Sequence, residues 1–186
     1  MNRFIKILNE YSSGRNVLIF LILSSSIYLI MLTITIPQIM AITGGIKILD
    51  MMPIGYTPKY VNELTSILGE SGRHLYLYHQ IPLDMAYPAL FGVSNTLIIA
   101  YLLKKAERFE NKLFFLCLIP ILAGIMDYCE NIGIITILKS YPNITDLLSQ
   151  VTNVFSILKS MFTTLYFVVL LVLLYLLAVK KLFRAK

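Results

Sequence analysis

Four apolar blocks, at about residues 16–42, 83–103, 113–138 and 154–179, dominate the chain, and each is long enough to carry a helix across roughly 30 Å of hydrocarbon. Polar residues recur inside them at helical spacing. Mapped at about 100° per residue, Ser24, Tyr28, Thr35 and Gln38 share one stripe of the first block. Asp84 and Asn95, flanked by Pro88 and Phe91, do so in the second. In the third the stripe is Pro120, Gly124, Asp127, Glu130, Asn131 and Ile134, and in the fourth it is Thr152, Ser156, Lys159, Thr163 and Tyr166. Polar groups turned toward lipid would lack partners, so the stripes are expected to face one another. The pattern predicts an all-α fold, a four-transmembrane-helix bundle with a polar interior, in a single domain over residues 1–186. The first block is too long for a signal-peptide core and no clear small-x-small cleavage site closes it, so it reads as a retained helix.

Residues 43–82 are expected to form a partly helical external loop between the first two helices. Thr57 is suited to cap a helix with Pro58 in its first position, and Gly69 to end it. Tyr60, Val61, Leu64, Ile67 and Leu68 then make one apolar face, either resting on the membrane surface or bundle, or forming a lid over a pocket. The Tyr- and His-rich run 72–80 leads into the second helix at an interfacial aromatic belt.

Composition agrees with a chain in lipid: 58% of residues are apolar and 14% charged, against about a quarter charged in a soluble domain. Mean hydropathy is +0.77. The net charge of +6 does not indicate nucleic acid, because the basic residues flank apolar blocks and form no long run interleaved with aromatics. They act as topology signals instead. Arg3, Lys6 and Arg15, then Lys104, Lys105, Arg108 and Lys112, then Lys180, Lys181, Arg184 and Lys186 fall on one side. The other side holds Lys47, Lys59, Arg73 and Lys139, so both termini are expected in the cytoplasm of a multi-pass plasma (inner) membrane protein.

Several chemistries find no support. Cys117 and Cys129 stand about 18 Å apart along one predicted helix, beyond disulfide reach, and without a CxxC pair a membrane thiol oxidoreductase lacks its reactive centre. No Gly-rich phosphate loop is present, and no serine has a histidine at a spacing that suggests a base. His74 and His79, five apart, could join Asp84 at a metal, but the spacing matches no known ligand pattern; no metal and no cofactor are predicted.

The candidate chemistry is a charged layer inside the bundle. Measured from the basic residue bounding each helix at about 1.5 Å per residue, Asp127 lies about 22 Å up, Glu130 about 27, Asp84 about 30 and Lys159 about 31. Arg73, His74 and His79 could approach from above. Three carboxylates against one lysine do not balance, so the layer calls for a proton or a further cation. Ionisable groups at such depth cost at least a few kcal/mol each and mark functional sites by default. The leading expectation is a pocket binding a lipid or other amphiphile, in which Asp127 and Glu130 engage a cationic or hydroxylated head, Lys159 and Asn131 orient it, and Asp84 joins them. Two other classes remain open: an accessory subunit of a membrane complex, and a lipid-modifying or isomerase-type enzyme using paired carboxylates. The structural alternative is that Lys159 bridges to Glu130 or Asp84 and, with Asn131 and Gln38, only sets helix register. Expected partners are membrane lipid, an amphiphilic small molecule, and a membrane-protein partner or second copy, with no nucleic acid.

Gly69-Glu70 with Gly72-Arg73, Asp84 with Tyr87-Pro88, Asp127 with Glu130-Asn131, and Tyr141-Pro142 together resemble a poorly characterised group of small bacterial four-helix membrane proteins. The resemblance covers most of the chain and implies the fold and the same charged residues, without an activity. In layout alone the chain also looks like the four-helix domain of sterol isomerases and the sigma-2 receptor, which places acidic residues in a membrane pocket around a cationic ligand or intermediate. That likeness is one of fold. Its motifs do not match residue by residue, and the absence of tryptophan leaves its aromatic cage without a counterpart.

Overall fold

The computed structural model describes residues 2–109 and 112–184; Lys186, counted above with the basic C-terminal residues, lies outside them. Regular structure among the described residues is all helical. Four stretches are long and apolar enough to cross a membrane: Gly14–Ile42, Pro58–Lys105, Lys112–Ser140 and Asp146–Leu182.

The chain begins with a short helix that the apolar blocks did not predict, α1 (Asn2–Tyr11), whose Leu8 is buried against the bundle. Ser13 then caps α2 (Gly14–Ile30) by accepting from the Asn16 amide, and the Asn16 side chain returns to the Tyr11 carbonyl. The first span continues through a π-turn, Met31–Thr35, into α3 (Ile36–Ile42). A second π-turn, Tyr76–Gln80, joins α4 (Pro58–Leu75) to α5 (Ile81–Lys105).

Both π-turns precede an Ile-Pro pair, Pro37 in one and Pro82 in the other. Proline offers no N–H to the carbonyl four residues back, and the backbone adapts by widening one turn. The amide of Ile36 bonds to the Met31 carbonyl, and that of Ile81 to the Tyr76 carbonyl, five residues back in each case. The two widened turns pack together, with the Thr35 hydroxyl bonding to the Gln80 side-chain oxygen.

The widened turn corrects the stripe on the first span. A π-turn adds one residue to the helical register, so positions beyond it rotate away from the face that precedes it. Thr35 is buried as expected, but Gln38 is exposed and its neighbour Ile39 is buried instead.

Helix α4 starts as the sequence indicates, with the Thr57 hydroxyl accepting from the Tyr60 amide and Pro58 in the first turn. Gly69, at φ 59°, kinks the helix, which then resumes instead of ending. Val61, Leu64 and Leu68 are buried, so the helix rests on the bundle; Ile67 faces outward, contrary to expectation.

Helix α6 (Leu118–Ser140) follows a 3-10 turn, Lys112–Cys117, and α7 (Asp146–Arg184) closes the described chain. Packing follows chain order, α2 along α5, α5 along α6 and α6 along α7. Helices α2 and α7 share no extended interface, which leaves a cleft between the first and fourth spans. Two apolar clusters fill the interior. One gathers Ile39, Ile48, Leu49, Leu64, Tyr76 and Ile137 at the loop end, and the other gathers Leu8, Phe91, Leu103, Cys117 and Tyr166 toward the termini.

Candidate functional site

The polar stripes of α5, α6 and α7 meet where the two clusters give way to each other. Asp127 and Glu130, one helical turn apart on α6, both reach Lys159 of α7. Lys159 Nζ lies 3.2 Å from Asp127 Oδ1 and also pairs with Glu130 Oε2. The Glu130 side chain is wholly buried, whereas those of Asp127 and Lys159 keep 9% and 18% of their surface.

Asn131 performs a different task. Pro88 has no N–H to give the Asp84 carbonyl, so that oxygen loses its helical partner inside the bundle. Asn131 Nδ2 donates to it at 2.7 Å, linking α6 to the proline turn of α5. The Asp84 side chain makes no ion pair with Lys159. It is 4% exposed, and its buried Oδ2 has no hydrogen-bond partner among the described residues.

A fourth carboxylate, not singled out from the sequence, enters from the loop. Asp50 sits in a short 3-10 turn, Leu49–Met51, held down by Ile48 and Leu49, neither of which retains any exposed surface. Tyr76 donates its hydroxyl to Asp50 Oδ2 at 2.8 Å, and the buried Oδ1 has no hydrogen-bond partner among the described residues. Burial pushes the Asp50 carboxyl up to about 7, aided by the negative charge of Glu130, while Lys159 and the Tyr76 hydroxyl pull it down.

A folded-state value above the unfolded one means that the folded chain holds this proton more tightly. The stability Asp50 contributes is therefore complete below about pH 4 and is lost as pH rises through about 7. The melting temperature in detergent should fall between about pH 5 and pH 8, and Asp50→Asn should flatten that fall. Parallel curves for parent and variant would count against it.

Asp50, Asp84, Asp127 and Lys159 line one cavity of about 370 Å³. Its other walls include Tyr28, Met31, Leu32 and Ile36 of the first span, Gln80 of the second π-turn, Phe91 and Ala123 at the bottom, and Ser160, Thr163 and Thr164 of α7. Tyr28 and Leu32 on one side and Thr164 on the other are both cavity-lining and exposed, so the mouth lies in the cleft between the first and fourth spans. Tyr28 stacks on Tyr87 at a centroid distance of 5.4 Å and forms part of its rim.

The residues expected to approach from above do not reach this cavity. Arg73 donates to the Thr65 carbonyl at 2.9 Å and lies 3.9 Å over the Tyr141 ring. His74 packs against Tyr78, and both His74 and His79 are exposed. The helical part of the loop, α4, is not the covering element; Asp50, Met51 and Pro53 of the preceding segment are. A larger groove of about 500 Å³ runs between α5 and α7 near the termini, lined by Leu102, Leu174 and Leu177 with Lys105, Lys180 and Lys181. It holds none of the charged layer, and Lys180 is already paired with Glu107 at 3.0 Å.

The cavity thus combines buried acids at its polar end, an apolar wall, and a sideways opening, which suits a molecule with a polar head and a greasy body. No protein-family model, curated protein or solved structure matches this chain, and the functional reading therefore rests on the geometry of these residues.

Proposed function

We propose that the chain is an integral membrane protein whose intramembrane acidic pocket binds a lipid or another amphiphile entering sideways between its first and fourth spans. The observation that carries this reading is the cavity itself, with carboxylates inside and a mouth in the cleft between the first and fourth spans. Large apolar side chains, among them Leu18, Ile22, Leu29, Val168, Leu171 and Leu176, cover the outer faces of those two spans, as contact with acyl chains requires. The charge distribution supports cytoplasmic termini and a pocket set toward the outer side of the plasma membrane.

Two measurements bear on it. A fluorescent-protein fusion that lights only in the cytoplasm should be bright at the C-terminus and dark when inserted at Gly45, a position whose side is open; the reverse would overturn the orientation. Native mass spectrometry of protein extracted in mild detergent should find one retained amphiphile. Thr163→Trp, which fills the cavity from α7, should lose it at least about tenfold while melting near the parent. Equal retention by parent and variant would place the binding elsewhere.

A further inference from the structure

The carboxylates divide into two sets. Asp127 and Glu130 are both engaged by the single ammonium of Lys159. Asp50 and Asp84 line the same cavity but form no ion pair among the described residues, and each, like Glu130, has a buried oxygen with no hydrogen-bond partner there. Asp84, at 4% exposure, belongs to the spans, whereas Asp50 comes from the loop, so two carboxylates reach the cavity from separate parts of the chain. Buried polar oxygens in this condition call for a donor, and buried carboxylates call for a positive one.

We propose that the gap between Asp50 and Asp84 is a subsite for a primary ammonium group, and that the ligand is a single-headed amine with an apolar tail. The assignment rests on the amphiphile-binding reading above and specifies its head. A primary ammonium has three N–H donors, enough to serve the Asp50 and Asp84 carboxylates together and leave one for water. A quaternary ammonium has the charge but no donor, and an alcohol has a donor but no charge. A metal ion is a poorer fit, since no three His, Cys, Asp or Glu side chains among the described residues converge closely enough to hold one. From this head position the tail runs past Met31, Leu32 and Ile36 toward the cleft, along side chains without charge. Bound this way, the ammonium ties the loop segment to α5.

The test compares dodecylamine, dodecan-1-ol and dodecyltrimethylammonium as probes of the full chain in phosphatidylcholine nanodiscs, each measured against empty nanodiscs to remove partitioning. The parent should bind dodecylamine at least about tenfold more tightly than the alcohol and than the quaternary ion, the difference expected of charge-assisted hydrogen bonds. Asp84→Asn should bring the amine-to-alcohol ratio down to about one, and Asp50→Asn, on a different element, should do the same. Saturable binding of amine and alcohol with equal strength would overturn the ammonium subsite while leaving the amphiphile pocket in place. Equal binding of the primary and quaternary ions would also overturn it, because charge alone would then be read. If no probe binds saturably, the pocket reading itself fails. The parent comparison decides the matter even if a variant does not fold.

Discussion

Lys159→Met should destabilise the protein by about 3–5 kcal/mol in an SDS titration from mild detergent, because it leaves two carboxylates in the bundle without their cation. Glu130 is the more costly of the two, being wholly buried, whereas Asp127 borders the cavity and can be hydrated from it. Adding Glu130→Gln to Lys159→Met should therefore restore about half of the loss or more, and the single change Asp127→Asn should cost less than Glu130→Gln. Such a pattern would make the lysine bridge a packing device that fixes α6 against α7, the structural alternative raised by the sequence. Parent-like or raised stability for every single change would mean that these charges are kept for binding rather than for the fold.

Gly124→Val should be nearly as damaging, at about 3 kcal/mol, and for a steric reason alone. A Cβ at Gly124 would stand 2.8 Å from the carbonyl oxygen of Pro88, so α5 and α6 meet backbone to backbone at this level. Neither atom belongs to a flexible side chain that could turn aside. Separating the helices would also stretch the bond from Asn131 to the Asp84 carbonyl, made a short distance along the same interface. Gly124→Ala should show a smaller loss of the same sign. A valine variant as stable as the parent would show that the contact between these helices is looser than the geometry requires.

The parts of the fold that could be read in advance are those with an uninterrupted period. Each long apolar block became a helix, and on α5, α6 and α7 the stripes mapped at a fixed angle contain Asp84, Phe91, Asp127, Glu130, Asn131, Thr152 and Ser156, all buried. The lysine expected among them is present, and it meets both carboxylates of α6. On the first span the stripe holds as far as Thr35 and fails beyond the π-turn, which adds a residue that no fixed angle anticipates; Gln38 faces outward for that reason. The Ile-Pro pairs at Ile36-Pro37 and Ile81-Pro82 were the visible sign of it.

Asp50 was hidden for a different reason. It lies in a segment with no period, and its depth follows from tertiary anchoring: Ile48 and Leu49 are buried beneath it, and the Tyr56 amide bonds to Asn153 of α7 at 2.7 Å. The available hint was an apolar pair next to an acid, between Gly44-Gly45 and Gly55, all three of which adopt positive φ. His74, His79 and Arg73 are chemically more conspicuous in the sequence, yet both histidines are exposed and Arg73 clamps α4 to Tyr141.

If the cavity takes its ligand from the side, as proposed, the missing interface between α2 and α7 also decides how concentration is to be counted. A molecule reaching the cavity from the side arrives already dissolved in the bilayer, so its availability is a mole fraction among lipids and not a molarity in water. Each added methylene raises its partitioning by about 0.8 kcal/mol without making any new contact inside the protein. A homologous series titrated from water would therefore look tighter with every carbon, while the same series expressed per lipid would stay level.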